Sequence, residues 1–336
     1  MRYNLRDGRY ERICIPEVCP VMDREQAKAH IQGVIATVPT AFDSNYDVDY
    51  GLMAEATEVW IERGLRGQGS VLKVAAAMGE GPQLRDSEWG RLLETVVQAA
   101  KGRVPVMGAI HYKDTVRSIE DAHIAKDAGV IGLQVSPPVF NQPSQEDMVR
   151  YFGALSDGSD VGILIYNTHW LTFGGIFPET FRRMKDFESI VAIKWSPPEG
   201  YKFDEIFDLK DTFNIIDNTN NPMECHRMGG HGFLSEGVDA YPTFFLNIWS
   251  MMEAGRYEEA NSEWERTVQP MRDFDARTGK ISGGEGRMEK GISEIMGLPM
   301  GPPRPPSMPL NEAEMAELKQ IIIDIGWPVP DGSERA

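Results

Sequence analysis

Short runs of apolar and β-branched residues alternate along the chain with longer segments in which apolar positions recur every three or four residues. The short runs are typical of buried strands, and the longer spacing is typical of amphipathic helices. Alternation of this kind is the pattern of parallel strands joined by helical crossovers. The predicted strands are Val34–Val38, Val71–Ala76, Val104–Ala109, Ile131–Val135, Val161–Tyr166, Ile190–Lys194, Phe213–Asp217 and Gly232–Glu236.

A segment of helical period follows each predicted strand. Eight strand–helix pairs predict a (β/α)8 barrel, the TIM barrel of the α/β class. A doubly wound open sheet is the alternative, but the glycine signature of a dinucleotide site does not follow the first strand. The predicted helices are Val48–Glu62, Asp86–Ala100, Thr115–Asp127, Gln145–Leu155, Pro178–Lys185, Lys202–Leu209, Pro222–Met228 and Tyr241–Glu253.

Two further segments flank the predicted barrel, which we assign to residues 33–255. Residues 1–32 have mixed charge and little period, and we interpret them as an N-terminal arm. Residues 256–336 predict a C-terminal helical region in which a proline-rich stretch, Leu298–Pro309, precedes the last helix. We interpret this stretch as a stiff connector, and a ligand for a small recognition domain is the alternative. The helices predicted here are Tyr257–Arg272, Gly284–Met296 and Asn311–Ile325.

Composition and charge narrow the classes of function. The chain has 34 Lys and Arg against 51 Asp and Glu, a net charge of −17, which disfavours nucleic-acid partners and anionic membranes. No stretch approaches the ~20 apolar residues of a membrane helix, and the first residues lack the apolar core of a signal peptide, so we expect a cytoplasmic protein. Three cysteines are unlike a disulfide framework, and no histidines have the spacing of metal ligands, so we predict no metal.

Two reactive side chains end neighbouring predicted strands, where the active sites of such barrels lie. Tyr166 ends the fifth strand and Lys194 ends the sixth. A buried amine loses its proton more readily than an exposed one, and the neutral amine can condense with a ketone. The resulting protonated imine is an electron sink for cleavage or dehydration next to a carbonyl, and a nearby tyrosine could transfer the protons. Either residue alone fits a salt-bridged lysine or a core tyrosine, whereas the pair favours catalysis.

Several further motifs accompany this pair: Thr37–Asp43, Met78–Leu84, Pro138–Gln145, Tyr166-Asn167, Ile193-Lys194, Gly229–Gly232 and Gly301–Pro306. Together they resemble the dihydrodipicolinate synthase / N-acetylneuraminate lyase family of class I Schiff-base aldolases. The resemblance implies a TIM barrel with a C-terminal helical region, a homotetramer built as a dimer of dimers or a dimer, and pyruvate as the small substrate. It implies no cofactor, because Lys194 carries the imine and Tyr166 moves the protons.

Three departures from the family pattern concern substrate binding. Where the family has Gly-Thr-Thr to grip the oxo acid carboxylate, this chain has Ala76-Ala77-Met78, so we predict that backbone amides of Ala77, Met78 and Gly79 bind it. Phe140 replaces the tyrosine that relays protons across a subunit interface. In the synthase, an arginine a few residues after the Tyr-Asn motif binds the carboxylate of the aldehyde substrate, whereas this chain has Thr168-His169-Trp170-Leu171 there. The missing arginine argues against dihydrodipicolinate synthase activity itself. His111, Tyr112 and His169 are candidates for the missing relay.

The residues near the ends of the later strands suggest a different second substrate. We predict that indole, imidazole and carboxylate groups there bind a cationic group or an aromatic aldehyde, through charge-assisted bonds and ring contacts. A polyhydroxyl substrate is also compatible with these groups. For each residue alone, core packing or pairing with a local Lys or Arg is the alternative. The predicted substrate-binding residues of this set are His169, Trp170, Trp195, Asp217, Leu234 and Glu236.

The sequence therefore predicts a class I lyase that cleaves or condenses a 2-oxo acid with a non-standard second substrate, and the resemblance implies that the small fragment is pyruvate. A hydratase or dehydratase that uses the same lysine imine is the closest alternative. A non-catalytic ligand-binding barrel is the alternative from another class, suggested by the lost threonines and the lost interfacial tyrosine.

Overall fold

The structure is a computed structural model that describes residues 3–6, 9–12, 24–67, 69–171 and 173–330. Eight parallel strands form a closed barrel in which the strands follow one another in chain order and the last is next to the first. The predicted TIM barrel is therefore confirmed. The strands are β3 (Gly33–Thr37), β4 (Ser70–Lys73), β5 (Val106–Ile110), β6 (Gly132–Val135), β7 (Gly162–Tyr166), β8 (Ile190–Trp195), β9 (Asn214–Asp217) and β10 (Gly232–Phe233), after a hairpin of β1 (Tyr3–Arg6) and β2 (Arg9–Arg12).

Two predicted strands are too long at their carboxyl ends. β4 ends at Lys73 rather than Ala76, and β10 ends at Phe233 rather than Glu236. After β4 the backbone leaves the extended conformation at Ala75, whose φ is 58°, and after β10 a turn begins at Glu236 and includes Gly237, whose φ is 72°. Such left-handed residues are incompatible with a ladder and begin loops.

Helices follow the strands as predicted, with one exception. The segment Phe203–Leu209, predicted as an α-helix, is a 3₁₀ helix. None of the helices in the described ranges has the length and apolar character needed to span a membrane. The barrel helices are α2 (Tyr50–Glu62), α3 (Asp86–Ala100), α4 (Thr115–Ala128), α5 (Gln145–Gly158), α6 (Pro178–Arg183), α7 (Pro222–Arg227) and α8 (Pro242–Glu253), followed by α9 (Tyr257–Thr278), α10 (Gly286–Ile295) and α11 (Glu312–Asp324).

Part of the predicted N-terminal arm is a helix, α1 (Arg24–His30). Ala27 of this helix and Ile31 after it are 1% and 0% exposed, so they are core residues. At the start of β9, the Asn214 Nδ2 donates to the carbonyls of Lys28 and Ile31 at 2.8 and 2.9 Å. The helix is thereby fixed at the amino end of the strands. Cys14 and Cys19 lie outside the described residues, and the assignment of residues 1–32 as a separate arm stays a prediction.

Packing divides the chain into two compact units. Unit 1 comprises residues 1–33 and 107–233, and unit 2 comprises residues 34–106 and 234–336. Tyr166 and Lys194 belong to unit 1, whereas the predicted carboxylate-binding loop belongs to unit 2.

Candidate active site

The two predicted catalytic residues lie against each other. Tyr166 on β7 and Lys194 on β8 are register partners, so their side chains leave the sheet on the same face. The Lys194 Nζ is 3.6 Å from the centroid of the Tyr166 ring. Lys194 is 4% exposed and Tyr166 is 7% exposed. A buried amine thus rests on the face of a phenol ring.

Trp195 follows Lys194 directly and therefore leaves β8 on the opposite face. Its indole is fully buried, donates from Nε1 to the Phe203 carbonyl at 3.0 Å, and packs edge-on against Phe181 of α6. The prediction that Trp195 lines the mouth of the barrel is therefore wrong. Successive side chains of a strand point to opposite faces of the sheet. Lys194 and Trp195 therefore lie on opposite faces, and Trp195 packs against the surrounding helices rather than inside the barrel.

Asp217 ends β9 as the register partner of Trp195. Its carboxylate accepts hydrogen bonds from the Thr219 amide at 3.0 Å, the Thr219 hydroxyl at 2.7 Å and the Asn221 amide at 2.9 Å. Burial raises the pKa of Asp217, although these bonds and the charge of Lys194 oppose the shift. Both carboxylate oxygens hold the turn before α7, and the role of Asp217 in substrate binding stays a prediction.

Asn167 fixes the loop after β7, which the structure describes at residues 167–171 and 173–177. This fully buried amide accepts from the Ile176 N–H at 2.8 Å and donates to the carbonyls of Ile176 and Ser196 at 3.2 Å each. One side chain therefore joins both ends of the loop to the chain that leaves β8. The sequence analysis names Asn167 only as part of the Tyr166-Asn167 motif and assigns it no role. That motif is the one feature of the sequence that points to this residue.

Gln145 at the start of α5 holds the same loop from its other side. Its amide oxygen accepts from the Thr180 hydroxyl at 2.6 Å and the Phe177 amide at 3.1 Å, and its nitrogen donates to the Gly175 carbonyl at 2.8 Å. A loop anchored by two side-chain amides presents its remaining residues in fixed positions.

His169 and Trp170 are carried on this loop beside the catalytic pair. The Trp170 ring is 51% exposed and lies 5.5 Å from the Tyr166 ring in an edge-on arrangement. The His169 ring lies 5.2 Å from that of Trp170, also edge-on. Burial lowers the pKa of His169, which favours its neutral form at pH 7. The structure thus places the Trp170 ring against Tyr166 and the His169 ring against Trp170.

A cavity of about 420 Å³ adjoins the loop. Its walls combine apolar and aromatic side chains with the polar side chains of Ser144, Gln145 and Glu199, and Tyr166 and Lys194 are not among the lining residues. The ring of Phe177 stacks on Tyr201 at 5.2 Å, which stiffens that wall. The principal lining residues are His169, Leu171, Phe173, Phe177, Pro198 and Glu199.

Phe140 lies in a 3₁₀ turn, Val139–Asn141, and 86% of it is exposed in the single chain. A ring on the surface does not line a closed pocket of its own chain, so its predicted substrate contact stays a prediction. The His111 and Tyr112 rings, candidates for the missing relay, lie 5.7 Å from each other.

In unit 2, the predicted carboxylate-binding loop follows β4. Ala75 and Glu80 both have left-handed φ values, 58° and 57°, at its two ends. The Glu80 amide donates to the Ala77 carbonyl at 3.0 Å, which closes a turn through Met78 and Gly79. Among the described residues, the amides of Ala77, Met78 and Gly79 have no hydrogen-bond acceptor. The loop therefore offers successive backbone donors, as a carboxylate site requires.

Leu234 and Glu236 follow β10, also in unit 2, and both are half-buried. Within the described ranges Glu236 forms no ion pair with a Lys or Arg, which contradicts the alternative of a local pair. Instead its charge contributes to raising the pKa of the buried Glu289, after the larger effect of burial. Nothing in the structure tests a role of Leu234 or Glu236 in substrate binding, which stays a prediction.

Metal ligands are not apparent in the part of the chain that the structure describes, where no group of three His, Cys, Asp or Glu residues is arranged to hold an ion. The predicted absence of a cofactor stays a prediction.

Comparison with known proteins places this site in a family. The model of the dihydrodipicolinate synthetase family matches residues 30–325. The chain belongs to this family. Its members are lyases of the class I aldolase type that use pyruvate, so the chain is an enzyme of this class. The family resemblance predicted from the motifs is thereby confirmed, and the low identity to the relatives below shows that this member is divergent.

Curated relatives and solved structures agree with this assignment. A 4-hydroxy-tetrahydrodipicolinate synthase of Methanococcus maripaludis is 27% identical over 297 residues, covering 88% of this chain and 99% of the relative. One from Heliobacterium modesticaldum is 28% identical over 295 residues, covering 87% and 95%. The crystal structure of dihydrodipicolinate synthase from Aquifex aeolicus has a TM-score of 0.79 at 22% identity, covering 90% of this chain and 100% of that one. A family member from E. coli, solved in complex with pyruvate, has a TM-score of 0.78 at 20% identity, covering 88% and 98%.

Proposed function

We propose that this chain is a Schiff-base aldolase in which the Lys194 amine forms an imine with the ketone of pyruvate or a longer 2-oxo acid. The observation that carries the proposal is the buried Lys194 Nζ on the ring of Tyr166, at 3.6 Å from its centroid. Both groups required for imine chemistry, a sheltered amine and a proton donor, are present on neighbouring strands.

The proposed reaction balances with these two residues and water. The neutral amine adds to the ketone carbon, and the carbinolamine loses water with a proton from the Tyr166 hydroxyl. In the cleavage direction the phenolate takes the proton of the substrate hydroxyl, the carbon–carbon bond breaks, and its electron pair passes into the imine to form an enamine. The aldehyde leaves, the enamine is protonated on carbon, and water releases pyruvate and the free amine.

For the second substrate we propose an aromatic aldehyde rather than a cationic one. Asp217 and Trp195, which suggested a cation site, are engaged in a turn and in the helical layer. The group that remains beside Tyr166 is Trp170, and His169 packs against Trp170. Burial favours the neutral His169 ring, which lines a cavity of about 420 Å³ together with the rings of Phe173 and Phe177. Flat uncharged surfaces of this kind fit an aromatic ring.

A panel of aldehydes offered with pyruvate tests this proposal. Preferred turnover of aromatic aldehydes is expected, and preferred turnover of an acidic semialdehyde or of a cationic aldehyde would contradict it. Product analysis in the cleavage direction separates the lyase from a hydratase that uses the same imine, because only the lyase releases an aldehyde together with pyruvate.

The proposal also includes the remaining sequence predictions. The Ala77, Met78 and Gly79 amides would bind the oxo acid carboxylate, the enzyme would need no cofactor beyond Lys194, and it would act in the cytoplasm as a homotetramer or a dimer. One solved relative is described as a monomeric variant, so sedimentation of this chain is an informative measurement. The exposed Phe140 is a natural position to test for burial in an oligomer.

A further inference from the structure

Unit 2 contains a buried ionic network that the proposed chemistry does not use. Lys290 on α10 pairs with Glu80 at 2.7 Å, and the two side chains are 4% and 2% exposed. The second Glu80 oxygen accepts from the Arg304 backbone amide at 2.7 Å. The Arg304 guanidinium in turn pairs with Glu88 of α3 at 2.7 Å. Residues more than 200 positions apart in the chain are thus joined through a single carboxylate, that of Glu80.

Glu80 is also the residue that closes the turn of the predicted carboxylate-binding loop. Its amide donates to the Ala77 carbonyl, and its own φ is 57°. Helix α10 touches the same turn directly, because a Cβ at Gly286 would lie 2.5 Å from Glu80 Cγ and 3.2 Å from the Met78 carbonyl oxygen. The helix therefore reaches the turn both by backbone contact and by the Lys290 ion pair.

The apolar surroundings of Lys290 show what the ion pair contributes. The Nζ lies 4.3 Å from the centroid of the Phe42 ring, the Arg304 Cζ lies 4.2 Å from the same centroid, and the Nζ donates to the Pro302 carbonyl at 2.7 Å. Burial lowers the pKa of Lys290 to about 8, even though Glu80 opposes the shift. An apolar side chain in such a place is often at least as stabilising as a buried ion pair. The pair is thus better explained by the geometry that it fixes than by stability.

We propose that Lys290 is a positioning residue which, through Glu80, aims the Ala77, Met78 and Gly79 amides at the carboxylate of the oxo acid. Lys290 does not touch the substrate in this account. The inference rests on the proposed function, because it takes the occupant of these amides to be the carboxylate of the imine-forming oxo acid. A small displacement of backbone donors weakens binding strongly, so the effect belongs to the oxo acid's affinity.

The test compares Lys290→Met with a matched control on the same helix, Arg287→Met. Arg287 is as buried as Lys290, and it pairs with Glu314 of α11 at 3.0 Å instead of with the carboxylate-binding loop. Half-saturation by pyruvate is measured from borohydride trapping on Lys194 in the full-length chain. In Lys290→Met, the pyruvate concentration that gives half-maximal trapping is expected to rise about tenfold or more. The trapping rate at saturating pyruvate should change little, because the lost interaction contributes equally to the bound substrate and to the transition state. Arg287→Met is expected to lower the thermal midpoint and to leave half-saturation unchanged.

Methyl pyruvate, an uncharged ketone, is the matched substrate control. Its half-saturation should be the same in Lys290→Met as in the unmodified chain, because it carries no carboxylate. Unchanged half-saturation by pyruvate in Lys290→Met would overturn the inference, and so would an equal effect on methyl pyruvate. If the unmodified chain forms no adduct with any oxo acid, the proposed function itself fails, and the inference fails with it.

The unmodified chain supplies a second measurement in case Lys290→Met does not fold. The charged groups around the Lys290 amine are Glu80 and Arg304, and Glu88 lies beyond Arg304. As pH rises through about 8, the amine loses its proton and the ion pair loses its attraction. Half-saturation by pyruvate should rise above that pH relative to methyl pyruvate, and less so in Lys290→Arg, whose charge persists. Equal profiles for the two ketones would contradict the inference.

Discussion

The Nζ of Lys194 lies 3.6 Å from the centroid of the Tyr166 ring, and the two residues are register partners on neighbouring parallel strands. Strand pairing alone therefore determines that they meet. The amine is held against an aromatic face and away from solvent, while the phenol supplies the one proton donor that the chemistry needs nearby.

Tyr166→Phe separates the two roles of that tyrosine. The ring that supports the Lys194 amine remains, and the hydroxyl that moves protons is lost. Turnover is expected to fall by roughly 100-fold to 10,000-fold, the usual contribution of a general acid–base residue, while slow borohydride trapping of pyruvate persists. Steady-state rates and the mass of the trapped protein measure the two effects. Full turnover in Tyr166→Phe would remove the tyrosine from the mechanism.

Trp170 and Trp195 form a matched pair of tryptophans with opposite expected effects. Trp170→Ala removes a half-exposed ring and should change the unfolding free energy by only about 0.5 kcal/mol, while weakening the use of aromatic aldehydes. Trp195→Ala removes a fully buried ring and should cost about 3–5 kcal/mol. Denaturant unfolding and aldehyde kinetics check both. An unchanged preference for aromatic aldehydes in Trp170→Ala would contradict the proposed second substrate.

Asn167→Ala tests the anchoring of the loop after β7. The change leaves one backbone N–H and two carbonyls without the side chain that now binds them. Each buried group left unpaired costs about 1–3 kcal/mol, so we expect a loss of about 2–4 kcal/mol after partial relaxation. Protease cleavage within residues 168–177 should become faster in the variant. Unchanged unfolding and cleavage rates would show that Gln145 holds the loop alone.

The stability of the protein should depend on pH through Asp275 of α9. Burial, followed by the charges of Glu236 and Glu285, raises the pKa of Asp275 to about 6 from its ordinary 3.8. The folded state then binds more protons than the unfolded state between those values, so this group's contribution favours folding at low pH and is lost as pH rises through about 6.

Asp275→Asn should therefore stabilise the protein at pH 7–8 by about 1 kcal/mol, a value reduced for solvent screening, and should flatten the dependence between pH 4 and 6. Thermal midpoints across that range measure the effect, and Asp273→Asn, an exposed neighbour on the same helix, is the control. A pH profile identical to that of the unmodified chain would contradict the assignment.

Local pattern was sufficient to predict the barrel and its central pair. Each strand is a short apolar run, and the catalytic residues end two of them, so Tyr166 and Lys194 could be predicted together. Alternation within a strand, which turns Trp195 away, was equally readable from the sequence and was overlooked. The sequence analysis also does not single out Lys73, a 1%-exposed lysine that likewise ends an apolar strand.

The parts that depend on distant contacts could not be predicted in this way. The carboxylate of Asp217 is engaged by a turn whose geometry no periodicity reports. The network of Glu80, Lys290 and Arg304 joins segments over 200 residues apart, and single charged residues in a sequence do not show which of them are buried. The proline-rich connector was read as a spacer, although its Arg304 is 8% exposed and is fixed by Glu88.

Borohydride reduction in the presence of pyruvate tests the central claim most directly. The adduct must be assigned among three lysines under 5% exposed in the described ranges, Lys73, Lys194 and Lys290. We expect one adduct, on the peptide that carries Lys194, and neither adduct nor turnover in Lys194→Met. An adduct on Lys73 or Lys290 with Lys194 unmodified, or undiminished turnover in Lys194→Met, would contradict the account.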